Sequence, residues 1–203
     1  MTDVMTDAVI AHTENSEPTA FTQKALDWLP WLEPLAERDF DERRREALVD
    51  PARIKSAYFR LLARDPDILQ ARTNTDKDIF YNVADGLPRA ERELAAAATS
   101  RVNGCIYCAS VHARFATSYS KRGEDVQRLL DEGVGIRIDP RWDAVIAASA
   151  ALTATPTSFD SNHIAALREA GLDDGEIVDV INASAFFNWA NRLMLSLGEP
   201  AGP

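Results

Sequence analysis

Cys105, Cys108 and His112 fall within one short stretch of a chain that has two cysteines and three histidines in all. Their spacing puts the three side chains on one face of a helix. The alanine-rich run before them, from Glu91 to Val102, is made of strong helix formers. It ends at Asn103-Gly104, two residues that tolerate the left-handed conformation which stops helices. A second helical run starts at Ile106 and extends to about Lys121, so the two runs predict an antiparallel αα-hairpin. Cys108 then sits in the first turn of the second helix, where unpaired N–H groups and the helix dipole favour an anion. A thiol in that setting drops from a pKa of about 8.5 into a range of roughly 3.5–7.5. Glu93 and His112 lie almost equally far from the break, and at about 1.5 Å per residue they stand at similar height on the two arms. If they face each other, the hairpin carries a proton relay beside a redox pair.

The elements that must position these residues follow from the rest of the chain. With 203 residues, 46% apolar and 27% charged, the chain can bury a full core as one domain. We expect a loose N-terminal tail over 1–20, a single helical domain over 21–197 and a C-terminal tail over 198–203. The net charge of −10 argues against nucleic acid or an anionic membrane as partner. No apolar run approaches a membrane span, and the N-terminus has no secretory pattern. A single C-x-x-C with no other cysteine suits redox or metal chemistry in a reducing, cytoplasmic setting better than a disulfide scaffold.

In chain order, Phe21 to Leu35 carries Leu26, Leu29, Leu32 and Leu35 with Trp28 and Trp31 between them, is interrupted by Pro30 and Pro34, and reads as a broken segment laid over the core. Helices are expected over Asp41–Leu48, from Pro51 through Ile54, Tyr58, Leu61 and Leu62, and from Pro66 to Val83. Pro88 is expected at the first position of the helix that carries Glu93. After Gly123 comes a short helix. Gly133–Ile138 is the one strand-like run, and a lone strand makes no sheet. Asp139-Pro140 opens a helix through Leu152, another covers Ser161–Ala170, and Asp173 with Glu176 has the capping-box spacing for a last helix to about Leu197. The class is all-α.

A bare C-x-x-C has other readings. Thioredoxin-like folds place it after a strand, and nothing before Cys105 reads as one. Zinc could take Cys105, Cys108 and His112, but a structural site wants a fourth ligand, and His12 and His163 lie elsewhere in the chain. The cysteines could also be small buried apolar residues, with His112 a surface imidazole and Glu93 a solvated helix carboxylate.

Glu93-x11-Cys105-x2-Cys108-x3-His112, with the closing Phe186-Phe187-Asn188-Trp189-Ala190-Asn191-Arg192-Leu193 and the Leu167–Leu172 stretch, resembles the alkylhydroperoxidase (AhpD-like) group of the carboxymuconolactone decarboxylase superfamily, in its peroxidase-related branch. The resemblance covers about Pro51 to Gly198. It implies an AhpD-like helical bundle with the C-x-x-C at the start of a core helix, assembly into homotrimers or homohexamers, and reduction of organic hydroperoxides. Carried over by position, Cys108 is the peroxidatic cysteine, Cys105 the resolving one, and His112 with Glu93 the relay. No bound cofactor is implied, because the electrons come from an external dithiol, a lipoyl-type reductant or a protein thiol. Tyr107, in a possible supporting place, stands where the best-characterised members have a histidine, and a phenol is not a base at neutral pH. The alternative of another class is a redox switch or disulfide exchanger of the same fold with little turnover. Lactone decarboxylation does not need the cysteine pair.

Overall fold

A helix whose side chains are small and apolar all round can be packed against on every side, and the run Leu94-Ala95-Ala96-Ala97-Ala98 has that character. In the computed structural model, which describes residues 9–82 and 84–202, every residue from Glu91 to Ser100 is buried. The first eight residues of the expected tail, Val83 at the end of its expected helix, and Pro203 lie outside the described residues. Among these are nine helices: α1 (Glu42–Ala47), α2 (Ala57–Leu62), α3 (Pro66–Tyr81), α4 (Arg89–Asn103), α5 (Ile106–Ser120), α6 (Gly123–Glu132), α7 (Pro140–Thr153), α8 (Ser161–Glu169) and α9 (Asp174–Leu197). The buried alanine run lies on α4, which packs directly on α5, α7 and α9. Ala95 to Ala98 show no exposed surface, so those three neighbours approach closely. Around them Leu129, Val145, Ile146, Leu167, Val180 and Phe187 complete the main core.

Local signals account for most element ends. Asp139 caps α7 by accepting from the N–H groups of Arg141 and Trp142, with Pro140 at its first position. Asp173 and Glu176 cap α9 reciprocally. Gly104 closes α4 in the left-handed region at φ 76°. Pro88 is the residue before α4 rather than its first position. The segment from Pro51 to Leu62 is two pieces, a 3-10 turn over Pro51–Lys55 and then α2, interrupted at Ser56, whose backbone is extended. The buried Arg92 fixes the loop before α4: its guanidinium donates to the carbonyls of Ile79, Asn82, Asp85 and Leu87 and pairs with Asp179 at 2.9 Å.

The strand-like run is corrected. Gly133–Ile138 forms no strand. The strands are instead β1 (Asp27–Pro30) and β2 (Gly198–Ala201), an antiparallel ribbon in which Trp28 faces Pro200 and Leu29 faces Glu199. Gly198–Ala201, expected as tail, is therefore pinned to the N-terminal segment. Part of the expected N-terminal tail is held too: Ile10 N–H donates to the Trp31 carbonyl, and Asn15 donates to Glu199 and to the Pro200 carbonyl. An edge of two strands far apart in sequence carries no periodic signal, which is why the chain order hides it.

Candidate active site

The hairpin of α4 and α5 brings the carboxylate and the imidazole into contact. His112 Nδ1 lies 2.5 Å from Glu93 Oε2. An ionised carboxylate can only accept, so Nδ1 carries the proton and Nε2 is left as the ring's free position. Glu93 is 1% exposed, and a carboxylate that deep must be paired. Its second oxygen, Oε1, accepts from Nε of Arg89 at 2.6 Å, one turn earlier on α4. The Arg89 guanidinium is tied in turn to the Phe80 carbonyl. Phe187 meets the His112 ring edge-on with centroids 3.9 Å apart, and Phe80 lies against it at 5.4 Å. The ring is thus held by one carboxylate and two aromatic faces.

Cys105 is the residue before α5, in the N-cap place, and Cys108 lies within the first turn. Both are free thiols and buried. The sequence puts the stabilised anion at Cys108; the electrostatics of the pair favour it at Cys105. A hydrogen bond from the Cys108 side chain lowers the Cys105 pKa, and the backbone N–H of Cys108 adds to it. Cys108, as donor of that bond and deeply buried, is pushed well above the ordinary thiol value. The physical reason is chiefly the contact between the two sulfurs: the one that accepts is stabilised as thiolate and the one that donates keeps its proton. Opposing this at Cys108 are the Asn191 amide and the Arg72 guanidinium, both of which favour its thiolate.

Asn191 lies on α9 with no exposed surface. It accepts from Asn103 Nδ2 and donates to Ser100 Oγ, each at 3.1 Å, so α9 is tied to the end of α4 beside the cysteines. A cavity of about 180 Å³ opens on this cluster. Glu93, His112, Cys108, Tyr107, Arg72 and Tyr58 are among the residues that line it, and Cys105 is not. Tyr107 is mostly buried, which raises its pKa and keeps it a neutral phenol. The four expected residues therefore meet, with Tyr107 beside them.

Arg89, Asn191, Arg72 and Tyr58 were not singled out by sequence. Arg89 had a signal, since it precedes Glu93 by four residues on one helix. Asn191 lies in the closing stretch that carries the resemblance. Arg72 and Tyr58 reach the cavity through tertiary packing alone. For the zinc alternative, no group of three or more His, Cys, Asp or Glu side chains placed to hold a metal forms among the described residues. His12 Nε2 bonds the Pro30 carbonyl, and His163 pairs with Asp160. Among the described residues, no helix is long and apolar enough to cross a membrane.

Comparison with known proteins bears on the fold and the family. Residues 66–154, from α3 to the end of α7, match the carboxymuconolactone decarboxylase family. No curated protein matches the chain. Among solved structures, it is similar to an alkylhydroperoxidase AhpD-core, peroxidase-related protein from Ralstonia eutropha JMP134, at 25% identity and TM-score 0.68 over 81% of this chain and 88% of the other. A peroxidase-related protein from Silicibacter sp. TM1040 superposes with TM-score 0.70 at 23% identity, over 94% of this chain and 95% of that one. The debrominase Bmp8 shares the fold at 18% identity and TM-score 0.66, over 81% and 88%. The all-α AhpD-like fold and the family match across the hairpin together support a place in the AhpD/carboxymuconolactone decarboxylase superfamily.

Proposed function

We propose that the protein is a thiol-dependent peroxidase that reduces small organic hydroperoxides through Cys108 and Cys105. The observation that carries this reading is the cavity, in which Cys108 lies with the bonded His112–Glu93 pair while Cys105 stays behind it. The resting pair shares one proton, held by Cys108 and directed at the Cys105 sulfur. On substrate entry that proton passes to Cys105, and the Cys108 thiolate attacks the terminal peroxide oxygen. The O–O bond breaks, a sulfenic acid forms on Cys108, and the departing alkoxide takes the Nε2 proton of His112, which the ring has first accepted from solvent as an imidazolium paired with Glu93. The Cys105 thiol then displaces hydroxide from the sulfenic sulfur, giving water and an intramolecular disulfide. An external dithiol, of lipoyl type or on a partner protein, returns the two electrons. Glu93 holds the Nδ1–H tautomer, so that Nε2 is the position that exchanges protons, as the third member of any nucleophile–base–orienter set.

Cavity size supports a compact substrate, since 180 Å³ is below the roughly 300–1,000 Å³ of sites for drug-sized ligands. As in the family it resembles, the working form is a homotrimer or homohexamer. The test is cumene hydroperoxide added to reduced protein. Mass spectrometry should show both thiols converted to one disulfide, and a supplied dithiol should sustain peroxide consumption. A disulfide that forms without sustained turnover would instead favour a redox switch.

A further inference from the structure

The cavity holds more donors than the chain can satisfy. Arg72 on α3 has a side chain 8% exposed, and its polar neighbours are Asp76 and the Tyr58 hydroxyl, with neither Nε nor Nη1 in a well-formed hydrogen bond. Its Nη1 lies 3.4 Å from Asp76 Oδ2 without hydrogen-bond alignment, and its Nε has no acceptor at all. The Tyr58 hydroxyl, on α2, is likewise buried, with only the Arg72 guanidinium near it and no well-aligned partner. Burial pushes its pKa well up, so it remains a donor. Such groups are costly to keep dry and unpaired, and both side chains line the same cavity as Cys108.

Charge points the same way. Arg53 and Arg72 share the single carboxylate of Asp76, and Arg89 is matched by Glu93. With Arg53 outside the cavity wall, Arg72 has only a shared carboxylate and the neighbouring thiol pair as counter-charge. Phe59, Phe80, Phe115 and Met194 form the apolar part of the wall.

We propose that Arg72, assisted by the Tyr58 hydroxyl, anchors an anionic oxygen of the substrate, so that the molecule reduced at Cys108 is a small apolar acid: an organic hydroperoxide that carries a carboxylate. This deepens the peroxidase reading and rests on it. The carboxylate takes the unpaired donors, the apolar body lies on the aromatic wall, and the hydroperoxide is left to face Cys108 and His112.

Benzoate and its neutral isostere benzamide test the anchor without turnover. Calorimetry should show benzoate binding to the reduced protein and benzamide at least about tenfold weaker. Bound benzoate should protect Cys108 from iodoacetamide. Arg72→Gln, which leaves Asp76 paired with Arg53, should weaken benzoate on the order of tenfold to a hundredfold and leave benzamide unchanged. Tyr58→Phe keeps the ring and should weaken benzoate by about tenfold; it decides alone if Arg72→Gln does not fold. Equal binding of the two probes, or a benzoate affinity untouched by either substitution, overturns the proposal. So does a change in the Cys108 titration with benzoate binding intact, which would make Arg72 only a thiolate neighbour. Cumene hydroperoxide turnover without benzoate binding removes the anchor and leaves the peroxidase. Benzoate binding without any turnover removes the peroxidase and leaves the anchor.

Discussion

At the scale of single residues, the two sulfurs divide what one would have to do alone. Interacting thiols lose their protons in two macroscopic steps. Here the first step lies below the ordinary thiol value and the second well above it, because the Cys108 thiol donates to Cys105. Thiolate absorbance near 240 nm should therefore rise in two separated stages. Cys108→Ser should still leave a donor for Cys105 but abolish reaction with peroxide. Cys105→Ser should remove the acceptor that holds Cys108 protonated, lower its pKa, and let dimedone trap a sulfenic acid on Cys108. The reverse outcome, in which Cys105→Ser loses the first turnover, exchanges the roles. Stability follows the same shifts. Between the depressed Cys105 value and about 8.5 the unfolded chain holds more protons than the folded one, so stability rises with pH. Above that the folded chain keeps the Cys108 proton longer, and stability falls again. His112→Gln should slow protonation of the alkoxide, and Glu93→Gln should act in the same direction more weakly, seen as a loss of kcat for cumene hydroperoxide. The residue types of this site and their meeting were legible in the sequence. Which sulfur holds the charge was not, because it depends on which thiol donates to the other.

At the scale of elements, the hairpin is what the sequence specifies best and what the site needs most. The break between α4 and α5 requires φ of 76° at Gly104, and a Cβ there would meet nothing within 4 Å. Gly104→Ala should therefore cost only the backbone term, about 1–2 kcal/mol in chemical denaturation. Its effect on peroxide reduction should exceed its effect on stability, because Cys105 follows directly and shares its backbone. Helix ends with a cap in the sequence, at Asp139 and Asp173, fall where their residues put them. The stretch from Pro51 to Leu62 does not, since Ser56 interrupts it with extended backbone and the apolar period runs on across that interruption. That break presents Tyr58 and Phe59 to the cavity, so a feature invisible to periodicity shapes the site.

At the scale of the molecule, the ribbon joins the two ends of the chain, and it redraws which surface is free to meet another copy. By sequence Trp28, Trp31 and Trp189 are all candidates for contacts between subunits. Trp28 packs edge-on against Tyr58 and Trp31 donates to Glu199 at 2.8 Å, so both are used within the chain. Trp189 remains, 42% exposed, beside Leu32, Ile68, Leu193 and Leu197 in an apolar groove. Large aromatic side chains are the usual anchors of subunit interfaces. A trimer or hexamer of the kind the superfamily resemblance implies should cover this groove, and light scattering at micromolar concentration should give its mass. Trp189→Glu would bury a charge at that contact and should shift the mass toward monomer. The ribbon supplies the control. A Cβ on Gly198 would clash with the Leu29 carbonyl and the Trp28 ring, so Gly198→Ala should loosen the ends of the chain and lower the melting temperature. If assembly buries the groove through α9 rather than through the ribbon, Gly198→Ala keeps the oligomer that Trp189→Glu loses. A monomer mass for the unaltered protein rejects the assembly outright.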